Sequence, residues 1–187
     1  MLDAKQIADL ITVLRGFLAF LLAWLGLVWG RTGLVGAIVV MLVDWTGDFF
    51  DGRIARLSRH PRQTWVGNHD LHVDVLVSLG LSAYLLGSGY LNQWVAFWYF
   101  VIWVLILWKL GLEYNLLMLF QAPIYLYFMI VAMRETPSAG RLLIIWVCLV
   151  LAINWRIFTH SIVPNFIHGI AVLMGNGKHS HLKFYRR

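Results

Sequence analysis

Asp48-Phe-Phe-Asp51-Gly52-Arg-Ile-Ala55-Arg56, followed after ten residues by Gly67-Asn-His-Asp70-Leu-His-Val-Asp74, sets four carboxylates at helical spacing inside a chain that is otherwise mostly hydrocarbon. Five of the nine acidic residues, Asp44, Asp48, Asp51, Asp70 and Asp74, fall in this stretch. A charged side chain at mid-bilayer costs about 2.5–3.5 kcal/mol on insertion scales, so carboxylates within membrane segments face a polar cavity and mark functional sites.

Outward from that stretch, composition settles the class. With 60% apolar residues, ten tryptophans and 13% charged residues, the 187-residue chain is too apolar for a soluble domain of its size. Apolar runs near the ~20 residues that a bilayer requires extend over 9–30, 33–57, 68–88, 93–112, 115–133 and 142–163. The expected fold is therefore all-α: a polytopic membrane protein with six transmembrane helices, forming a single domain over residues 1–187. The first run is too long for a cleavable signal peptide and leads straight into the second, so it is expected to remain as an anchor. Gly87-Ser-Gly89 and the loop Glu135 to Gly140 punctuate the spans, and Pro123 is placed to kink the fifth. From Asn165 a surface helix and a basic flexible tail are expected.

Lys and Arg accumulate on the cytoplasmic side of membrane proteins. With six spans, one face carries both termini and twelve of the fifteen basic residues, and the other keeps only Arg31, Arg134 and Arg141. This puts both termini and the aspartate-rich corner in the cytoplasm, as in a bacterial inner membrane or its equivalent. The formal charge of +6 then serves anionic lipid headgroups. Nucleic acid is excluded as a partner, because the basic residues form no continuous stripe. Cys148 stands alone and supports no internal disulfide.

Residues three and four apart share a helical face. Asp44, Asp48, Asp51, Gly52 and Ala55 form one stripe toward the end of the second span, and Gly67, Asp70 and Asp74 form another at the start of the third. A short link makes the two helices antiparallel neighbours and brings the carboxylates together. Like charges that close take up protons unless a cation neutralises them. Aspartate oxygens suit a hard divalent ion, Mg²⁺ or Mn²⁺, and four of them suffice for two ions. Gly52, Ala55 and Gly67 clear space for a ligand close to the backbone, although small residues also serve simply to let membrane helices approach. Arg56 offers a planar fork for phosphate. His69 and His72 bracket Asp70 with zinc-compatible spacing, but their neighbours are oxygen ligands, which favours a place near headgroups instead.

The pattern Asp-x-x-Asp-Gly-x-x-Ala-Arg, a gap, then Gly-x-x-Asp-x-x-x-Asp resembles the signature of the CDP-alcohol phosphatidyltransferases, with Gly67 one residue nearer to Asp70 than the signature has it. Upstream, Asp9-Leu-Ile-Thr12-Val-Leu-Arg15 is similar to the family's Asn-x-x-Thr-x-x-Arg, with Asp9 in place of Asn. The resemblance implies transfer of a phosphatidyl group from CDP-diacylglycerol, or a similar CDP-linked donor, to the hydroxyl of a small acceptor alcohol, with release of CMP. It implies that Asp48, Asp51, Asp70 and Asp74 bind two divalent metals and that Asp74 takes the acceptor's proton. Gly52, Ala55, Arg56 and Gly67, with Thr12 as an addition, would line the CDP site. It also implies a homodimer.

Lys109 and Arg156 lie in the fourth and sixth spans at a depth comparable to the aspartates. A buried cation there needs a partner, and a phosphate on the acceptor supplies one, as in glycerol 3-phosphate or inositol phosphate. The competing reading has both side chains snorkel to headgroups or pair with Glu113. Asp44, one turn deeper than the signature, has three open roles: touching the acceptor, tuning the metals, or pairing with Arg156. Two other classes use aspartate-rich membrane helices. An intramembrane prenyltransferase needs a second acidic motif, whereas residues 114–187 hold only Glu135. A divalent metal transporter does not require Gly52, Ala55 and Arg56 at their offsets.

Overall fold

In a computed structural model, residues 4–57 and 70–174 are described, with side chains for 6–50 and 71–174. The chain is all-helical over these residues: α1 (Ala4–Val28), a 3₁₀ turn (Gly30–Gly33), α2 (Leu34–Leu57), α3 (Asp70–Gly87), α4 (Gln93–Leu110), α5 (Tyr114–Glu135), α6 (Pro137–Ile153), the single turn α7 (Trp155–Ile157), a π-helical turn (Phe158–Ile162) and α8 (Val163–Leu173). By length and composition, four helical segments among the described residues can cross a membrane: Gln6–Val28, Gly30–Phe50, Gln93–Leu110 and Tyr114–Glu135. The bent pair Pro137–Ile153 and Trp155–Leu173 makes a fifth if it is one span, and Leu71–Gly87 is a shorter apolar helix. The chain is thus an integral membrane protein with several apolar helices.

The core is built on α1, α2 and α3. Ala8, Thr12, Arg15, Ala19 and Leu22 recur at three- and four-residue intervals on α1 and are all buried, the inward stripe that a 3.6-residue period produces. On α2 the buried described positions are Leu34, Ala37, Ile38, Val40, Met41 and Asp44. Small residues close the seam between α1 and α3. A Cβ at Gly80 would lie 2.3 Å from the Ala19 carbonyl oxygen, one at Gly26 would lie 2.6 Å from the Tyr84 Cα, and one at Gly87 would lie 2.8 Å from the Gly26 carbonyl carbon. Lipid tails are as apolar as leucine, so such backbone-to-backbone packing is what holds membrane helices together. These contacts advance in step along both chains, so α1 and α3 run parallel. Gly36 faces Leu25 while Gly47 faces Ile11 and Arg15, so α2 runs antiparallel to α1. The end of α2 and the start of α3 therefore meet beside Arg15.

Ser78 and Ser82 lie buried on α3, and their hydroxyls donate to the carbonyls of Val75 (2.7 Å) and Ser78 (2.9 Å). Each thus satisfies itself within its own helix. α5 docks through Tyr125, whose ring meets Trp45 edge-on at 5.7 Å, while Trp45 stacks on Trp146 of α6 at 6.0 Å. α4 leans on α5 through aromatic rings: Tyr99 and Trp103 each lie 5.8 Å from the Phe120 ring, and the Tyr99 hydroxyl donates to the Phe120 carbonyl. Its outer face, including Trp94, Trp98, Ile102 and Trp108, is exposed, as expected for a helix bordering lipid. A cavity of about 460 Å³ between α3, α4 and α5, lined by Ser82, Tyr90, Asn92, Tyr99, Pro123 and Tyr127 among others, opens at the far end of these helices from the carboxylates. α5 runs unbroken through Pro123.

The expected continuous span 142–163 is not found. The chain leaves α6 at Asn154 (φ −105°, ψ 23°) and turns by 80° into the arm that follows. Asn154 closes α6 with its side-chain amide, which donates to the Val150 carbonyl at 3.2 Å. Pro164 has no N–H to continue the ladder, and the π-helical turn immediately before α8 takes up the mismatch. Arg156 therefore sits on the arm just beyond the bend.

Candidate active site

The side chain at the meeting point of α1, α2 and α3 is Arg15, only 3% exposed. Its stem crosses the face of α2 at Gly47, where a Cβ would come within 3.2 Å of the Arg15 Cδ. Its guanidinium then reaches three carboxylates with three different nitrogens. Nε donates to Asp44 Oδ1 at 3.0 Å, Nη1 lies 3.0 Å from Asp48 Oδ1, and Nη2 donates to Asp74 Oδ1 at 2.5 Å. A guanidinium presents its donors in a fixed planar fork and stays charged at any relevant pH, so this one group fixes the relative positions of α2 and α3.

Exposure grades across the cluster. The Asp44 side chain is 2% exposed, Asp74 28% and Asp48 51%. Burial therefore deepens along α2 from Asp48 to Asp44. The Tyr125 hydroxyl of α5 donates to the Asp74 backbone carbonyl at 3.5 Å and closes one wall.

Of the four signature carboxylates, Asp48 and Asp74 are brought together on Arg15. Asp51 lies one turn beyond Asp48 on α2, and Asp70 opens α3 one turn before Asp74. Gly52, Ala55 and Arg56 belong to the last turns of α2. The side chains of Asp51, Arg56 and Asp70, together with Gly67 and His69, lie outside the described residues. Thr12 is buried one turn before Arg15, and its hydroxyl donates to the Ala8 carbonyl at 3.2 Å. His72 is exposed. Lys109 in the last turn of α4 and Arg156 on α7 are exposed as well. Asp44 pairs with Arg15 and not with Arg156.

Sequence reading placed Arg15 in the motif Asp9 to Arg15 and among the basic residues of the cytoplasmic face but gave it no role in the site. The signal was its position: three residues after Thr12, on the same stripe as Ala8 and Ala19, with no other cation for fifteen residues downstream.

Among the described residues no group of three His, Cys, Asp or Glu side chains is arranged to hold a metal ion. The donor chemistry nevertheless fits one: Asp48 and Asp74, from two helices, direct oxygens at a single cationic centre, and all-oxygen donors suit Mg²⁺ or Mn²⁺.

No curated protein and no solved structure matches the chain. The family model described as CDP-alcohol phosphatidyltransferase matches it over residues 5–175. That range takes in the α1 stripe, the carboxylates of α2 and α3, and the bent arm, and it displaces the prenyltransferase and metal-transporter alternatives. The chain belongs to the CDP-alcohol phosphatidyltransferase family, transferases of phospholipid synthesis with membrane helices.

Proposed function

We propose that the protein transfers a phosphatidyl group from CDP-diacylglycerol, or a similar CDP-linked donor, to the hydroxyl of a small alcohol. The acceptor oxygen bonds to the phosphatidyl phosphorus, the phosphorus–oxygen bond to CMP breaks, and the acceptor's proton passes to Asp74. The observation that carries this reading is the convergence of Asp48 and Asp74, both partly exposed, on one cationic centre.

Asp48, Asp51, Asp70 and Asp74 would hold the divalent metals. Bound there, Mg²⁺ or Mn²⁺ supplies charge that stabilises the departing CMP oxygen. Gly52, Ala55 and Gly67 would leave room for the nucleotide and Arg56 would bind phosphate, with Thr12 as an addition. Asp74 is suited to act as base because it is partly open to the site while its backbone is held by Tyr125. Arg156 and Lys109, exposed cations outside the carboxylate cluster, would receive a phosphorylated acceptor such as glycerol 3-phosphate or inositol phosphate.

Counting α3, which packs along α1, and the bent pair as one span each gives six crossings over a single catalytic unit of residues 1–187. Both termini and the site then face the cytoplasm, where CDP-linked donor heads and CMP are soluble, and the homodimer common to the family is the expected assembly.

The test is CMP release by purified protein supplied with CDP-diacylglycerol, Mg²⁺ or Mn²⁺, and a panel of glycerol 3-phosphate, inositol phosphate and unphosphorylated alcohols. Metal-dependent CMP release with one acceptor is expected. No CMP with any acceptor would refute the assignment, and release only with unphosphorylated alcohols would remove the phosphate-binding role of Arg156 and Lys109.

A further inference from the structure

We propose that Arg15, anchored by Asp44, is a built-in counter-cation that competes with the divalent metal for Asp48 and Asp74. The inference rests on the reading of those two aspartates as metal ligands. The oxygens a metal would need, Asp48 Oδ1 and Asp74 Oδ1, are the ones that face the two Nη atoms of Arg15 at 3.0 and 2.5 Å. The third contact differs in kind. Nε points to Asp44, whose side chain is 2% exposed, so one edge of the guanidinium is tied to a buried carboxylate while the other faces two partly exposed ones.

Charge and packing support the same division. Among these four groups three carboxylates outnumber one guanidinium. Asp44 lies one turn deeper than Asp48 and outside the signature, and its role here is to keep a partner for Arg15 when Asp48 and Asp74 turn to the metal. Removing Arg15 would take a buried positive charge away from like-charged carboxylates held close together, which is unfavourable for partly buried groups. Gly47 is the small residue that lets the Arg15 stem lie against α2. Arg15 is thus a positioning residue for the carboxylates and a brake on metal affinity, and Asp44 is what limits the brake.

The experiment measures Mn²⁺ affinity by calorimetry or by electron paramagnetic resonance on full-length protein in detergent, without nucleotide, together with thermal unfolding in chelator. Arg15→Lys keeps the charge, but one ammonium cannot bridge three carboxylates. Mn²⁺ should bind it more tightly by about fivefold, equivalent to ~1 kcal/mol, while its melting temperature in chelator falls. Asp44→Asn removes the charge that anchors Nε of Arg15 and should weaken Mn²⁺ binding by a similar factor. Opposite shifts support competition. Unchanged Mn²⁺ affinity in Arg15→Lys, or weakening in both variants, overturns it while leaving the metal site intact. Absence of saturable Mn²⁺ binding in the unmodified protein overturns the metal site and this inference together. Should Arg15→Lys fail to fold even with Mn²⁺ present, Asp44→Asn decides alone: unchanged or tighter binding refutes the proposal.

Discussion

Replacing Gly80 by alanine tests whether the α1–α3 seam assembles the site. The added Cβ would stand 2.3 Å from the Ala19 carbonyl oxygen and 2.8 Å from the Ala19 carbonyl carbon and Cα. Contacts of this kind are favourable near ~3.5 Å, so the helices must part by about 1 Å. The obstacle is backbone, so no side-chain rotation relieves it. Overpacking of this sort costs about 1–3 kcal/mol. Stretching the Arg15–Asp74 contact from 2.5 Å by that ~1 Å forfeits a further ~2 kcal/mol at an effective dielectric near 20. Alanine's higher helix propensity returns at most about 1 kcal/mol, so a net loss of about 2–4 kcal/mol is expected. At roughly 2–4 °C per kcal/mol for a chain of this size, the melting temperature followed by tryptophan fluorescence in detergent should fall by ~4–16 °C. Gly16→Ala is the control, because a Cβ there meets nothing within 4 Å; it should leave stability unchanged or slightly raised. If Gly80→Ala melts at or above the temperature of Gly16→Ala, the seam does not hold the helices as described and the reasoning fails.

Asp74→Asn removes the proposed base and one metal oxygen, and CMP release should drop by at least ~100-fold with the protein still folded; retention of a tenth of the activity would disqualify Asp74 as base. Chelation with EDTA should abolish CMP release and added Mg²⁺ or Mn²⁺ restore it, whereas turnover that persists in chelator would rule out the metal. Arg156→Ala should raise the KM for a phosphorylated acceptor and leave the KM for CDP-diacylglycerol alone, and an unchanged acceptor KM would end that role. Phe120→Ala takes away the ring on which Tyr99 and Trp103 rest; a loss of about 3–5 kcal/mol is expected, and a melting temperature equal to the parent's would show that α4 is held by something else.

What the sequence displayed well were features that a helix projects onto its own surface. The spacing of Asp44, Asp48 and Asp51, and of Asp70 and Asp74, fixes their faces without knowledge of any partner, and the apolar runs mark five of the helices to within a few residues of their observed ends. What it hid depends on which face meets which. Arg15 reads as one more cation near a helix end until Gly80 and Ala19 set α1 against α3 closely enough to bring its fork to Asp74. Apolar residues continue on both sides of Asn154, so the bend there was invisible to a count of apolar residues, and with it the place of Arg156 on the arm beyond.

The same limit explains Asp44. From periodicity alone it belongs to the metal stripe, because it shares a face with Asp48 and Asp51. Burial separates it from Asp48: one turn earlier on α2, its carboxylate is sealed, and a sealed carboxylate persists only with a partner that is equally sealed. Arg15 is the buried cation within reach, and its Nε takes that place. A charge whose role the sequence leaves open is, in the folded chain, the partner of the residue that faces the other two. Exposure, which no spacing rule reports, is what distinguishes a carboxylate that can meet a metal from one that holds the group beside it.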